Sequence, residues 1–546
     1  MIGSGRIVVT VATAAAVTAG VLHAQGRGQN WNTTAADAQR TGWLRAETRI
    51  SSATLQKAEA GGFQLLWTVK PQNQPRQLNT LTQPLLLGNL ISHKGFKALA
   101  FIGGSSDVVY AYDYDLAKMY WSQKLSTAAT AQPSTTTCPG GLTAITRSTP
   151  LTQSAVPPPP GSGRGAGPGF ALPPSPPPAP PAGRGPTTAV NPANLPITGA
   201  VWAISSGGMI HALNPHIGAD LRAPVRLVPA GAKVLGAVLV NNATLYAATT
   251  DGCGGAPNGV WAVDVSSESA GPPARTWASG GATIAGMAGP TIGLNGVIYV
   301  ATGTGPGVHA HAVVALNAET LQVQDWFAGE SPFTSSPVAF NYSGRDLVAA
   351  ATRDGRLYVL DGAAPGGADH RTPLARSATY STAGADFSAG AVTTWQDTGG
   401  TRWLLVASAG PPADTKFPVT NGSITNGTVA AFKLAGEGGS LSLEPVWTSR
   451  DLITPTAPIV LNDVVFALSS GAFRTADPQV TAAQRLARSS SAVLYALDAK
   501  SGKELWNSGR AISASVQNVA PSGLDGQVYV VAADGTLYAF GIPMEH

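Results

Sequence analysis

The fold is decided by Leu494-Tyr-Ala-Leu-Asp-Ala-Lys-Ser-Gly-Lys-Glu-Leu-Trp506, a stretch near the end of the chain. Apolar and aromatic residues up to Ala496 predict a strand, Asp498 opens a tight turn, Ser501-Gly502 closes it, and Leu505-Trp506 belongs to a second strand. The spacing is Ala, Asp two residues later, Gly four after that, and Trp four after that. One such unit cannot bury its own apolar face.

The same spacing recurs along the chain, with a period of roughly 40 to 55 residues once insertions are discounted. The apolar strands of the eight copies begin at Val109, Ile210, Val260, Val313, Leu357, Thr428, Leu494 and Leu537. The turn is followed by tryptophan at Trp121, Trp277, Trp326, Trp447 and Trp506. Such a repeat is typical of a propeller or solenoid, in which each unit packs on its neighbours.

Apolar strand pairs precede the repeats, for example residues 463–467 before Leu494. Together with the strand that carries the tryptophan they make four strands, the blade of a β-propeller. We therefore predict an all-β chain that forms an eight-bladed propeller of four-stranded antiparallel blades. The last copy lacks its fourth strand, and residues 63–67 can supply it, which closes the ring. Seven blades is the alternative, if the weak second or sixth unit is misassigned.

The Ala-x-Asp-x-x-x-Gly-x-x-x-Trp pattern resembles the repeat of the PQQ-like, quinoprotein alcohol dehydrogenase-like propellers. Asp37-Ala-Gln-Arg-Thr-Gly-Trp43 resembles their entry segment, and the likeness runs from about Trp31 to the C-terminus. It implies that each tryptophan docks one blade against the next. It implies much less about activity, because the same propeller serves dehydrogenases and non-catalytic proteins such as the outer-membrane assembly lipoprotein.

Composition agrees with a large, turn-rich all-β protein. The chain has 546 residues, 44% hydrophobic and 12% charged, with 64 Gly and 42 Pro. The net charge of +4 comes from scattered Lys and Arg, which argues against a nucleic-acid partner. The sequence has no Gly-x-Ser-x-Gly and no His-Glu-x-x-His, which argues against hydrolases and metalloproteases.

Residues 1–24 are predicted to be a signal peptide. An apolar, small-residue run follows Arg6, and Leu22-His-Ala24 offers a small-residue cleavage site. An uncleaved anchor is the alternative, but the run is short and diluted by Thr, Ala and Gly. No Cys follows the run, so a lipid anchor is not supported. We expect an exported protein, periplasmic or extracellular, without a stable membrane anchor.

Two further units complete the predicted organisation: a lead-in segment, residues 25–60, and one propeller, residues 61–546. The lead-in segment should contain a short helix over residues 51–60, with Ser51 or Ser52 as N-cap. Together with Trp43, this helix should cover one face of the ring.

Three insertions interrupt the blades. Residues 157–186 in the second blade are almost entirely Pro, Gly, Ala, Ser and Arg and are predicted to be a disordered, solvated loop. Residues 410–426 in the sixth blade and 473–490 in the seventh are candidate rims of a binding surface. Cys138 and Cys253 lie in loops of the second and third blades, where an inter-blade disulfide or two free thiols are the alternatives.

The resemblance also raises the question of a quinone site. Catalytic relatives hold their quinone against a disulfide between adjacent cysteines, and this chain has no Cys-Cys and no Cys-x-x-Cys-His for a covalent haem. A PQQ site also needs cationic or amide donors, oxygen ligands for an ion such as calcium, and a carboxylate base. These groups must converge on the axis from the starts of the innermost strands, which recurring prolines mark.

Near these prolines, Asp386 is the candidate catalytic base or metal ligand, and no metal-ligand set is assigned. The candidate cofactor-binding residues are Arg147, Gln83, Gln517 and Asn518. The set is unspecific, because polar groups line the water-filled axis of most propellers. His309-Ala-His311 could be half a metal site, but no matching cluster is visible and a loop or strand-end pair is favoured.

The leading hypothesis is an exported scaffold that binds a protein or small-molecule ligand in its axial funnel or with its long loops. The alternative is a dehydrogenase that uses PQQ and calcium to oxidise alcohols or sugars and passes electrons to a separate acceptor. The missing adjacent cysteines favour the scaffold, whereas the entry segment keeps the dehydrogenase in consideration. A funnel filled with apolar side chains would exclude the enzyme; Arg147 and Asp386 converging on an open cavity would support it.

Overall fold

A computed structural model describes residues 30–56, 62–92, 95–125, 134–151, 199–266, 273–382, 386–436 and 440–543. The predicted signal peptide, residues 1–24, and the predicted Pro-rich insertion, residues 157–186, lie outside this part of the chain.

Within these residues, eight four-stranded antiparallel sheets follow one another and form the blades of a ring. Blade 1 contains the strands Leu85–Ser92, Gly95–Gly104, Val108–Asp113 and Lys118–Lys124, and blade 2 contains Ala144–Thr146, Val201–Ile204, Met209–Leu213 and Val225–Arg226. Blade 3 contains Lys233–Val240, Thr244–Thr250, Gly259–Asp264 and Arg275–Ala278, and blade 4 contains Thr291–Ile292, Ile298–Ala301, Ala312–Leu316 and Val323–Ala328. Blade 5 contains Val338–Tyr342, Arg345–Ala351, Leu357–Asp361 and Ala375–Arg376, and blade 6 contains Thr393–Gln396, Arg402–Ala409, Gly427–Ala435 and Ser442–Thr448. Blade 7 contains Ile459–Leu461, Val464–Ser469, Val493–Asp498 and Glu504–Asn507, and blade 8 contains Ser522–Leu524, Gln527–Val531, Leu537–Gly541 and Gln64–Val69. The eight-bladed, all-β prediction is confirmed, and the seven-bladed alternative is wrong.

Several short elements lie outside the four-stranded blades. Five two-residue strands lie outside the four-stranded blade cores: Trp43–Leu44, Ser148–Thr149, Ser335–Ser336, Gly390–Ala391 and Val419–Thr420. Two α-helices, Ser52–Gln56 and Ala482–Arg488, lie in the lead-in segment and in the predicted insertion of blade 7.

The ring closes as predicted, by a strand from the start of the chain. Gln64–Val69 pairs antiparallel with Leu537–Gly541, so blade 8 combines the two ends of the propeller. The indole Nε1 of Trp67 then donates to the carbonyl of Tyr114 in blade 1, at 3.0 Å. Blade 8 thus docks on blade 1 through the same kind of tryptophan contact that joins blades within the chain.

The repeat spacing is explained by how the tryptophans dock. Trp447 of blade 6 donates to the carbonyl of Ala499 in blade 7, at 3.0 Å. Its ring lies over Gly502, where a Cβ atom would be 2.4 Å from the indole Cε3. Trp121 lies in the same way over Gly218 of blade 2. The motif glycine therefore makes room for the indole of the preceding blade.

The inner strands are buried on both faces. Every residue of Val464–Ser469 and of Gln527–Val531 is buried, because each blade packs between two others. Strands covered on both sides read as continuous apolar runs rather than as alternating patterns. Burial of these apolar strands is the main source of folding free energy, at about 25 cal/mol per Å² of apolar surface removed from water.

The lead-in segment first follows the first strands of the blades, and residues 49–52 then contact the turns between the first and second strands of blades 7 and 8. From Trp31 onwards it contacts every blade in turn, either as an extended strand or through side chains. Its hydrogen-bonded partners in blades 1 to 8, in order, are Leu86, Arg147, Ala237, Ile292, Ala339, Thr394, Val460 and Gly526. The predicted short helix is present as Ser52–Gln56, and the hydroxyl of Ser51 accepts from the amide of Thr54 at 3.0 Å, as an N-cap.

Arg40 fixes this segment on the axis. Its side chain is fully buried and donates to the carbonyls of Thr34 at 2.8 Å, Pro290 at 3.0 Å and Ala237 at 3.4 Å. Burial lowers the pKa of Arg40 to about 9, with Asp37 opposing the shift. The arginine of the entry segment is thus a structural residue that joins the segment to blades 3 and 4.

The two cysteines form an inter-blade disulfide, which is one of the two alternatives that the sequence left open. Cys138, in the loop before blade 2, is bonded to Cys253, in the loop between the second and third strands of blade 3, and their Cα atoms are 5.5 Å apart. The bond joins loops of neighbouring blades at the face where the innermost strands begin.

Candidate ligand site on the propeller axis

A cavity opens on the axis at the face where the innermost strands begin. It holds about 1380 Å³ of open space, the solvent at its mouth included. Segments that precede or begin the first strands of blades 1, 2, 3, 6, 7 and 8 contribute to its wall, together with the segment before blade 4 and a loop of blade 7.

The floor of the cavity is made of small apolar residues. Ala35 of the lead-in segment packs with Ala288, Ala391 and Ala457, and Ala520 packs against this cluster. All five line the cavity. The lead-in segment therefore closes the axis from below, and the open part of the funnel ends on alanine side chains.

Both predicted glutamines line the wall. Gln83 accepts from the amide of Ala35 at 3.2 Å and donates to the carbonyl of Pro521 at 2.5 Å, so it holds the floor against blade 8. Gln517 donates to the hydroxyl of Ser515 at 3.1 Å. Each side chain is 7% exposed. Both side chains line the cavity, but the amide group of Gln83 is already hydrogen-bonded to the lead-in segment and to blade 8.

Asn518 also lines the cavity and binds an arginine that sequence reasoning missed. Arg474 donates through Nη2 to Oδ1 of Asn518 at 2.5 Å and lines the cavity beside it. Its Nε is buried and has no hydrogen-bond partner among the described residues. Burial lowers the pKa of Arg474, with Asp386 opposing and Arg485 adding to the shift.

Asp386 does not line the cavity. Its Oδ2 accepts from Nη1 of Arg485 at 3.0 Å and from the amide of Thr475 at 2.9 Å. These contacts attach the predicted insertion of blade 7 to the segment before blade 6. Asp386 therefore acts on the position of Arg474, which is one residue away from Thr475.

Arg147 does not line the cavity either. It donates to Oδ1 of Asn32 at 3.2 Å, and its own amide donates to the carbonyl of the same residue at 2.7 Å. Burial lowers the pKa of Arg147 to about 10. The structure thus brings Gln83, Gln517 and Asn518 to one cavity and leaves Arg147 and Asp386 outside its lining.

The charged groups of the lining are both cationic. Besides Arg474 there is Lys233, which is paired with Asp251 at 2.7 Å. Among the described residues, no carboxylate, imidazole or thiol lines the cavity, and no group of three or more His, Cys, Asp or Glu is placed to hold a metal. The carboxylates of a quinone could meet Arg474, but the described lining offers neither a carboxylate ligand for a divalent ion nor a carboxylate that could act as a base. The lining therefore does not fit the PQQ–calcium group.

His309 is held by packing. Its ring lies between Trp277 and Trp326, with ring centroids 6.0 and 5.2 Å away. Burial lowers the pKa of His309. Among the described residues, His309 and His311 are not part of a group of three or more His, Cys, Asp or Glu that could hold a metal ion.

Comparison with known proteins agrees with this architecture. Residues 396–542 match the family model described as outer membrane protein assembly factor BamB. None of the curated protein sequences compared with the chain matches it.

Several solved structures share the fold. Quinohemoprotein alcohol dehydrogenase from Comamonas testosteroni is 13% identical, with a TM-score of 0.51 over 96% of this chain and 82% of that one. Quinohemoprotein alcohol dehydrogenase ADHIIG from Pseudomonas putida HK5 is 12% identical, with a TM-score of 0.52 over 97% and 83%. A europium-containing methanol dehydrogenase is 12% identical, with a TM-score of 0.51 over 94% and 98%.

The chain shares the fold of the PQQ-like β-propellers, and the family match is limited to residues 396–542. At 12% to 13% identity, the likeness to these dehydrogenases establishes the fold alone. In the part of the chain that the structure describes, no helix has the length and apolar character needed to cross a membrane.

Proposed function

We propose that this protein is a non-catalytic binding propeller that takes a small molecule in its axial cavity. The observation that carries the proposal is the cavity itself: a funnel with an alanine floor, a cationic and amide-bearing mouth, and no carboxylate in its described lining. Concave, mainly apolar sites with a few polar groups are the usual form of small-molecule sites.

Apolar wall residues support a ligand with an apolar body. Val234, Leu235, Met287 and Val519 line the cavity above the floor. Covering such a surface with a ligand contributes about 25 cal/mol per Å² of apolar area removed from water. Gln517 and Asn518 then serve as orienting groups at the side of the ligand.

A dehydrogenase is the second candidate function, and only the fold supports it. Quinone-dependent oxidation with a metal needs a base and oxygen ligands near the reacting carbonyl. Asp386, the predicted base, is paired with Arg485 and lies outside the lining. A bound quinone and a separate electron acceptor are therefore not part of the proposal.

The test is calorimetric titration of the purified protein with small apolar ligands, together with a variant that fills the cavity. Val519 is half-buried and lines the wall, so Val519→Trp should reduce ligand affinity at least tenfold without unfolding the blades. Val308→Trp is the matched control, because Val308 is 81% exposed on a loop of blade 4. Equal binding by both variants would refute the axial site.

We also propose that the protein is exported. The Cys138–Cys253 disulfide supports this, because stable disulfides are formed and kept in oxidising compartments. Sequencing the N-terminus of the protein from the periplasm or medium should find Gln25 as the first residue. Retention of Met1, or recovery of the protein only from the cytoplasm, would contradict export.

A further inference from the structure

The mouth of the axial cavity carries an uncompensated positive charge. Arg474, Arg485 and Asp386 form one cluster, in which Asp386 pairs with Arg485 at 3.0 Å. Arg474 has no carboxylate within ion-pair distance among the described residues, and the Asp386 charge reaches it only through space. Two cations therefore share one anion.

The uncompensated group is the one that faces the cavity. Arg474 lines the cavity, its Nη2 is held by Asn518 at 2.5 Å, and its Nε is buried without a described partner. Leaving a buried guanidinium donor unsatisfied costs free energy, since charged groups lose more than neutral ones on desolvation. An anion in the cavity that Arg474 lines would compensate the charge of the guanidinium.

Residues of two blades hold the side chain of Arg474 in position. Arg474 belongs to the loop of blade 7 that Asp386 and Arg485 hold in place, while Asn518 lies before the first strand of blade 8. Asn518 has a left-handed backbone, with φ of 57°. The guanidinium is thus oriented from both sides, as planar, directional recognition of an anion requires.

Resting on the proposed function, we propose that the axial cavity selects ligands with a single carboxylate on an apolar body, and that Arg474 binds the carboxylate. The guanidinium fork matches the two oxygens of a carboxylate. The apolar body lies along Val234, Leu235 and Met287 towards the alanine floor. Lys233, on the same wall, is already neutralised by Asp251 and does not compete for the anion.

The test compares acids with neutral compounds of the same shape by calorimetric titration: decanoate with decan-1-ol, and 1-naphthoate with 1-naphthalenemethanol. The acid of each pair should bind about ten- to hundredfold more tightly than the alcohol, the range expected for a charge-assisted hydrogen bond. Arg474→Gln should remove that advantage and leave the affinity for the alcohol unchanged. Arg474→Lys should retain part of the higher affinity for the acid. Arg510→Gln, at an exposed site, should leave the affinities for acid and alcohol unchanged.

The variants separate the two claims. If acid and alcohol bind equally and Arg474→Gln has no effect on either affinity, the carboxylate inference is wrong. In that case the axial site is still supported, provided that Val519→Trp lowers the affinity for both compounds. If Val519→Trp weakens neither, the axial site itself is wrong. Binding of neither compound in either pair also contradicts the inference. Circular dichroism of Arg474→Gln should match that of the wild type, because the arginine touches a loop and not a blade core.

Discussion

Replacing Gly502 by alanine tests how the blades are joined. Gly502 has a backbone φ of 70°, and an added Cβ would lie 2.4 Å from Cε3 of the buried Trp447 ring. The left-handed backbone costs a non-glycine residue about 1 to 2 kcal/mol, and crowding a packed interface adds about 1 to 3 kcal/mol. We therefore expect the free energy of unfolding to fall by about 2 to 5 kcal/mol.

A control variant separates the steric cost of Gly502→Ala from the cost of its left-handed backbone. Gly296 has a φ of 78° with nothing within 4 Å of an added Cβ, so Gly296→Ala should cost only the backbone term, about 1 to 2 kcal/mol. Urea unfolding followed by circular dichroism measures both. In a Trp447→Ala background the extra cost of Gly502→Ala should disappear, since the two residues interact directly. Equal costs for Gly502→Ala and Gly296→Ala in the wild-type background would refute the docking explanation.

Two more perturbations follow from the fold. Replacing Cys138 and Cys253 by serine opens a loop of 115 residues, which removes a loop-closure term of about 4.8 kcal/mol; a loss below about 1 kcal/mol in urea unfolding would show that the disulfide does not restrain the unfolded chain. Burial raises the pKa of Tyr112 to about 12. The unfolded chain loses this proton near pH 10 and the folded chain near pH 12, so the stability from the protonated phenol is present below about pH 10 and is lost between about pH 10 and 12. The difference in unfolding free energy between wild type and Tyr112→Phe should shrink through that window, and a constant difference would contradict the assignment.

Much of the ring could be predicted because its information is local. The spacing from Ala496 to Trp506 contains a strand, a turn and a docking residue, and each is explained by contacts within two adjacent blades. Ring closure also followed, because an unpaired strand at residues 63–67 matched an incomplete last blade. The blade order placed Cys138 and Cys253 in neighbouring blades, but the sequence left open whether they are bonded.

The site was harder to predict because its contacts are not local. The lead-in segment contacts all eight blades largely through backbone atoms, which leave no signature in side-chain spacing. Arg474 lies on an insertion whose path over the axis depends on the ion pair between Asp386 and Arg485. Sequence reasoning selected Asp386 for chemistry, whereas the structure gives it a partner outside the cavity lining.

The central claim is that the axial cavity binds a small ligand and does not oxidise it. The most direct measurement adds PQQ and calcium to the purified protein and follows reduction of an artificial dye with a panel of alcohols and sugars. We predict no substrate-dependent reduction, because no carboxylate among the described residues lines the cavity to take a proton or hold the ion. Calcium-dependent reduction that Val519→Trp abolishes would contradict the account and establish a quinoprotein dehydrogenase.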